Sequence, residues 1–276
     1  MLDQSIVIYT ICDEVIKSLN IKDDAQCKMS TAEVMTFSIM SAMIYGCNYK
    51  TTRLVAINHR YFSKILSHSQ LVRRIHQTPE HVWMMVFMAL QVFLRNKNNQ
   101  CFNVDSFPVK AYENHKSFRA KIFSSKKYHG YAASKKQYFF GIKVHMIVDS
   151  DGVPMEFSFA PGSEFDIKNL KNSPLNFSPG SIILADRAYT NYSFEDLLYE
   201  SIGVRVVAKR KKNHRRQHKT DDEILLHQKR NYIESVFSSI IRRMPRYITA
   251  RTEKGFCLKV LFFILAYMVN LYFPFT

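Results

Sequence analysis

Three carboxylates stand where apolar runs end or are interrupted. Asp105 lies in "CFNVDSFPV", Asp186 closes the run of "SIILADRAYT", and Glu234 lies in "RNYIESVFSSIIRR". Taken singly, a strand-terminal aspartate turns the chain or caps the next helix. Taken together, the three suit metal chemistry. Carboxylates brought within a few ångströms raise one another's pKa, so a cluster of them is unfavourable without a cation. Mg²⁺ prefers oxygen ligands and is held by one or two carboxylates together with substrate phosphate. Two such ions about 3.5 to 4 Å apart would activate the attacking oxygen and stabilise the leaving one in phosphodiester chemistry, with Mn²⁺ able to substitute.

Such a site needs elements that carry the acids to one place. "CFNVDSFPV" reads as a short strand with Asp105 near its end and Pro108 stopping the ladder. "YFFGIKVHMIVDSDGVPMEFSFA" alternates Ile142, Val144, Met146 and Val148 on one face, turns at Asp151 and Gly152, and returns through Met155, Phe157 and Phe159 as a β-hairpin. A short helix around Ile167 to Leu170, the strand "SIILAD", a helix across "SFEDLLYES" and the strand "VRVVAK" follow. The pattern predicts an α/β fold, with a mixed five-stranded sheet flanked by helices. If the strands of Asp105 and Asp186 are parallel neighbours, both acids reach the edge where open α/β sheets bind ligands.

The third acid must come from a helix that crosses that edge. "TDDEILL" opens with Thr220 and Glu223 in a capping-box pattern, and the helix is expected to run to Met244, ahead of Pro245. Ile233, Phe237, Ile240, Ile241 and Met244 form its apolar stripe. Glu234, about 100° around from Ile233, lies at the margin of that stripe.

Residues 1–98 have helical periodicity and are expected to form a separate all-helical domain, with residues 99–276 forming the catalytic one. "STAEVMTFSIMSAMIYG" shows a capping box at Ser30 or Thr31 with Glu33, and "TPEHVWMMVFMALQVFLRN" has Thr78 as N-cap and Pro79 in the first turn. "SKILSHSQLVRRIHQ", with Arg73 and Arg74, fits either the second element of a helix-turn-helix or a solvated basic face. The apolar core Val260 to Val269 spans ten residues, short of the roughly 20 that cross a bilayer, and is expected to be a buried helix.

Charge points to the partner. The chain has 39 Lys and Arg against 23 Asp and Glu, a formal +16, which suits a polyanion. Nine Lys or Arg lie between Lys110 and Lys143 against the single acid Glu113, among them Lys126, Lys127, Lys135 and Lys136. Tyr112, Phe118, Tyr128, Tyr131 and Tyr138 are interspersed, so the segment is either a clamp on a DNA strand end or a solvated basic loop. "KRKKNHRRQHK", from Lys209 to Lys219, suits contact with phosphate backbone. Five scattered cysteines without C-x-x-C spacing argue against disulfides or zinc. The N-terminal stretch has no basic region and carries acids among its apolar residues, so a cytosolic location is expected. Asp149 and Asp151 sit in a "DSDG" turn signature, and Asp166 in "PGSEFD" reads as a helix cap or an auxiliary acid of the site.

"NVDSFPV", "LADRAYT" and "RNYIESVFSSIIRR" resemble the three acidic blocks of DDE transposases from bacterial insertion sequences. With "KKYHGYAASKKQYFFGIKVHMIVDSDGVPMEFSFAPGSEFD", the stretch from about Asn103 to Ile241 is most similar to the insertion-sequence 982 family. The resemblance implies a ribonuclease H-like fold and the catalytic, metal-binding acids Asp105, Asp186 and Glu234. It also implies an arginine four residues before the glutamate, which is Arg230. Related families place a Tyr seven residues before the Glu and a Lys seven after; His227 and Ile241 stand there, and Arg242 and Arg243 offer a shifted basic contact. The activity implied is binding of terminal inverted repeats, then Mg²⁺-dependent DNA cleavage and strand transfer by a protein dimer in the bacterial cytoplasm. The alternatives are a ribonuclease H-like nuclease without strand transfer and a catalytically silent DNA-binding descendant.

Overall fold

A computed structural model of the chain describes residues 2–112, 121–132, 136–211 and 213–273. The chain divides into two compact units, one of residues 1–94 with 239–276 and one of residues 95–238.

The first unit is helical: α1 (Leu2–Ser18), α2 (Thr31–Tyr45), α3 (Tyr49–Asn58), α4 (His68–Gln77), α5 (Glu80–Leu94) and α10 (Glu253–Tyr272). Helix α2 begins where the sequence indicated: Ser30 accepts from the Glu33 amide, and the Glu33 side chain returns to the Ser30 amide. It ends at Gly46, whose φ of 56° is left-handed. Helix α10 is long and apolar enough to cross a membrane by length and composition, yet it is largely buried and packs on α2 and α5, with Phe262 against Trp83 at 4.6 Å between ring centroids. The sequence pattern puts α10 within the catalytic domain of residues 99–276. The structure groups it with the N-terminal helices, because their apolar faces have a core to complete.

The second unit carries strands β1 (Cys101–Tyr112), β2 (His129–Ala132), β3 (Gln137–Asp149), β4 (Pro154–Pro161), β5 (Ile182–Ala185) and β6 (Arg205–Ala208). Helices α6 (Asp166–Asn172), α7 (Tyr192–Ile202), α8 (Thr220–Lys229) and α9 (Asn231–Arg243) complete the element order, the last residues of α9 belonging to the first unit. The sheet is mixed, with order β2-β3-β1-β5-β6 and β4 also paired to β3. Among the described residues it therefore has six strands, not five. β2 pairs with Gln137–Phe140 of β3 and β4 with Ile142–Val148, so one long strand serves two partners along its length. The fold is consistent with the ribonuclease H-like architecture of DDE enzymes.

Two local expectations change. β1 does not stop at Pro108, which pairs in register with Lys143 of β3. Beyond Val104 no β5 residue pairs with β1, and a strand with one unpaired side accommodates a residue lacking N–H. The helix expected from Thr220 to Met244 is interrupted at Arg230, and Lys219, without a side-chain cap, precedes α8 in place of the Thr220 capping box. In α9, Ile233, Val236, Phe237 and Ile240 are buried, whereas Ile241 is exposed.

The hairpin forms as its pattern indicated. Asp149 Oδ1 accepts from the amides of Asp151 and Val153, so these acids serve the turn. At the other end of β3, Gly130 lies so close to Gly162 that a Cβ would fall on the Gly162 carbonyl. Gly130→Ala is expected to cost about 1–3 kcal/mol through displaced backbone; a urea-unfolding midpoint equal to that of the unsubstituted chain would show that the contact relaxes freely.

Candidate active site

Register places the first two acids. The parallel ladder of β1 and β5 ends at the pair Val104 and Ala185, so the next residue on each strand is an aspartate, Asp105 beside Asp186. Alternation puts both on the same sheet face. The opposite face carries Phe102, Val104, Ile183 and Ala185 into an apolar core with Tyr189, Phe194 and Leu198. Asp105 thus lies within β1, not at its end; what ends there is the pairing.

The two carboxylates are held alike. Oδ1 of Asp105 accepts from the Ser106 amide at 2.8 Å, and Oδ1 of Asp186 accepts from the Arg187 amide at 2.7 Å. The Asp186 contact caps a turn of 3-10 helix, Arg187–Tyr189. The simple capping role is therefore real, and it uses only one oxygen. Both Oδ2 atoms face Arg230, whose Nη2 lies 3.5 Å from Asp105 and 3.3 Å from Asp186. Burial pushes the Asp105 carboxyl up to about 6; the Ser106 amide and Arg230 oppose that rise, and Asp186 and Asp166 add to it.

Glu234 lies one turn beyond Arg230 on α9 and is exposed. Its helix packs on the face that bears Asp105, with the rings of Phe237 and Phe107 at 4.6 Å. Among the described residues no three Asp, Glu, His or Cys side chains converge as a metal-ligand group. The structure unites two of the three acids, and Arg230 with them.

A second polar group backs β1 from the other face. Asp166 receives Ser106 Oγ and Lys143 Nζ, each at 3.1 Å, and His145 Nε2 lies 3.7 Å away. His145 Nδ1 is 3.3 Å from the hydroxyl of Tyr189, three residues after Asp186. The two contacts lie side by side without a hydrogen bond between them, since His145 Nε2 has no hydrogen-bond partner among the described residues. Asp166 is not the helix cap: Phe165 holds that position without a side-chain hydrogen bond, and Asp166 is spent on the network. Burial drives His145 down to about 4, so it is neutral near pH 7. The signal available in the sequence was Lys143 and His145 at alternate positions of an otherwise apolar strand.

The basic residues divide. Arg74 is fixed inside the first unit by Asp23, Thr31 and Cys27, while Arg73 is exposed. Arg243 donates to the Ser239 carbonyl and meets the amide of buried Asn270, while Arg242 is exposed. Lys126, Lys127 and Lys136 are exposed; Lys135 and Phe118 lie outside the described residues. Beside these lysines His129, Tyr131, Tyr138 and Phe140 form a ring array across β2 and β3, centroids 4.6 to 5.1 Å apart, and Tyr112 stacks on Phe140 at 5.3 Å. Tyr131 and Tyr138 are 48% and 56% exposed. In the Lys209–Lys219 loop, Arg210 and Arg216 bracket the Tyr192 ring and pair with Glu195 and Asp196, leaving Lys209, Lys211, Arg215 and Lys219 exposed.

A family model described as "Transposase DDE domain" matches residues 95–247, more than half of the 276 residues. The chain belongs to the DDE transposase domain family. No curated protein sequence matches it. Membership implies a nuclease or transposase enzyme, DNA as partner and use of a divalent metal. The donor set fits such an ion: two adjacent carboxylates present their Oδ2 atoms to one point, where a cationic guanidinium already stands.

The titrations oppose each other. The folded state favours protonated Asp105 from the ordinary 3.8 up to about 6, so that contribution to stability is present below pH 4 and lost as pH rises through 6. His145, depressed from 6.5 to about 4, contributes stability above pH 6.5 that is lost as pH falls through 4. Asp105→Asn removes the Asp105 titration and leaves that of His145. In chelator, its stability relative to the unsubstituted chain should rise between pH 4 and 6 by up to roughly 3 kcal/mol; a difference independent of pH in urea unfolding would contradict the assigned burial.

Proposed function

We propose that the protein is a transposase of the insertion-sequence 982 type that binds the terminal inverted repeats of its element and catalyses Mg²⁺-dependent cleavage and strand transfer. The observation that carries this is the juxtaposition of Asp105 and Asp186 at the end of a parallel ladder; Glu234 is taken as the third acid because its helix, α9, packs by Phe237 on Phe107, two residues from Asp105. In this account Asp105, Asp186 and Glu234 hold two Mg²⁺ ions, or Mn²⁺ in their place. Bound there, the ions supply activation of an attacking oxygen and neutralisation of charge on the leaving one.

The chain's own residues do the rest. The Ser106 and Arg187 amides fix one oxygen of each aspartate, leaving the other directed into the site. Asp166 on Ser106 and His145 beside Tyr189 steady the residues that follow the two aspartates. Arg73, Arg242, Lys126, Lys127, Lys136 and the exposed part of the Lys209–Lys219 loop suit phosphate contact. Arg74 and Arg243, occupied internally, serve DNA binding only by shaping the surfaces beside them. The N-terminal helices are assigned to end recognition and the active form to a homodimer, since two element ends must be joined. The setting is the bacterial cytoplasm, on nucleoid DNA.

Asp186→Asn is expected to abolish Mg²⁺-dependent cleavage of DNA bearing the inverted repeats that flank the reading frame, while retaining DNA binding. Undiminished cutting by that variant would remove Asp186 from the mechanism. Exposed rings among lysines suit stacking on unpaired bases, which is worth about 1–3 kcal/mol per base. Tyr131→Ala with Tyr138→Ala should therefore weaken binding of frayed or single-stranded ends by roughly tenfold or more and of blunt duplex far less. Equal loss on both substrates would assign the rings to folding.

A further inference from the structure

Arg230 stands where a cation shared by Asp105 and Asp186 would stand. Its Nη2 distances, 3.3 and 3.5 Å, exceed the roughly 2.7–2.9 Å of a closed charge-assisted hydrogen bond. The guanidinium balances the two carboxylates without docking tightly on either. Its Nε is buried without a hydrogen-bond partner among the described residues. Charge, more than a complete set of hydrogen bonds, sets its position. The backbone of Arg230 is helical, φ −68° and ψ −35°, yet it lies at the interruption between α8 and α9. It is thus placed where the helical run is least continuous, one turn before the exposed Glu234.

We propose that Arg230 is a resident counter-ion that holds Asp105 and Asp186 together in the metal-free protein and is displaced when a divalent cation binds. The proposal rests on the metal-binding role assigned to these acids above. Two adjacent, half-buried carboxylates at the end of the ladder need positive charge beside them to remain ionised side by side. A guanidinium and a divalent ion cannot share the gap, because they repel at that range. Metal entry and Arg230 release are therefore one exchange, and the arginine sets the threshold concentration at which the site loads.

The test is Mn²⁺ binding to the full chain, measured by calorimetry after removal of metal with chelator. Arg230→Gln should bind Mn²⁺ about tenfold more tightly than the unsubstituted protein, with Arg230→Lys between them, tenfold corresponding to ~1.4 kcal/mol. In the unsubstituted protein, the arginine Nε–H NMR signal missing from Arg230→Gln should shift on Mg²⁺ titration, with the midpoint of metal binding. This second measurement decides the matter should Arg230→Gln fold poorly without metal. Equal or weaker Mn²⁺ binding by Arg230→Gln, or an Nε–H signal unmoved at saturating Mg²⁺, would overturn the exchange while leaving the metal site intact. An unsubstituted protein that binds no Mn²⁺ would instead overturn the metal-site assignment on which the exchange depends.

Discussion

The site depends on where one parallel ladder stops. β1 and β5 pair from Cys101 and Ile182 to Val104 and Ala185, and the residue that follows on each strand is an aspartate. Because side chains alternate along a strand, a shift of one residue in either partner would send one carboxylate into the apolar core on the opposite face. The run of Ile183, Leu184 and Ala185, all essentially inaccessible to solvent, fixes that register. Hydrophobic packing on one face thus determines charge geometry on the other.

Bringing two carboxylates together where a ladder ends is unfavourable, and the surrounding structure offsets the cost in layers. Backbone amides neutralise part of each charge, Arg230 supplies a cation in front, and Lys143 stands behind the strand on Asp166. The balance remains incomplete for Asp105, whose carboxyl is held up at about 6 mainly by burial. A group in that condition gains most from a bound divalent cation. The same features that make the metal-free site strained make it receptive.

Much of this was legible in the sequence because it rested on local patterns. The Ser30 capping box, the DSDG hairpin and the run ending at Asp186 each depend on residues within a few positions of one another. β2 was not legible: "HGYA" is only four residues long and carries two small residues, so it shows no apolar alternation of its own, although its partner Gln137–Phe140 follows closely in sequence. Pro108 does not end β1 because the strand is paired on only one side there, a fact of sheet order that the local sequence does not carry. The break at Arg230 has no proline or glycine to announce it. Nor could the sequence show Arg230 lying between two aspartates from distant strands, or Asp166 leaving its cap position for Ser106 and Lys143. Such contacts are properties of packing, and linear spacing records them only when both partners lie on one element.

The central claim is that Asp105 and Asp186, adjacent at the end of the ladder, form the floor of a divalent-metal site. The most direct measurement is anomalous diffraction from crystals of the protein grown with Mn²⁺. The account predicts an anomalous peak within coordination distance, about 2.0–2.6 Å, of oxygens from both aspartates. Full Mn²⁺ occupancy elsewhere, with none at these two carboxylates, would contradict it.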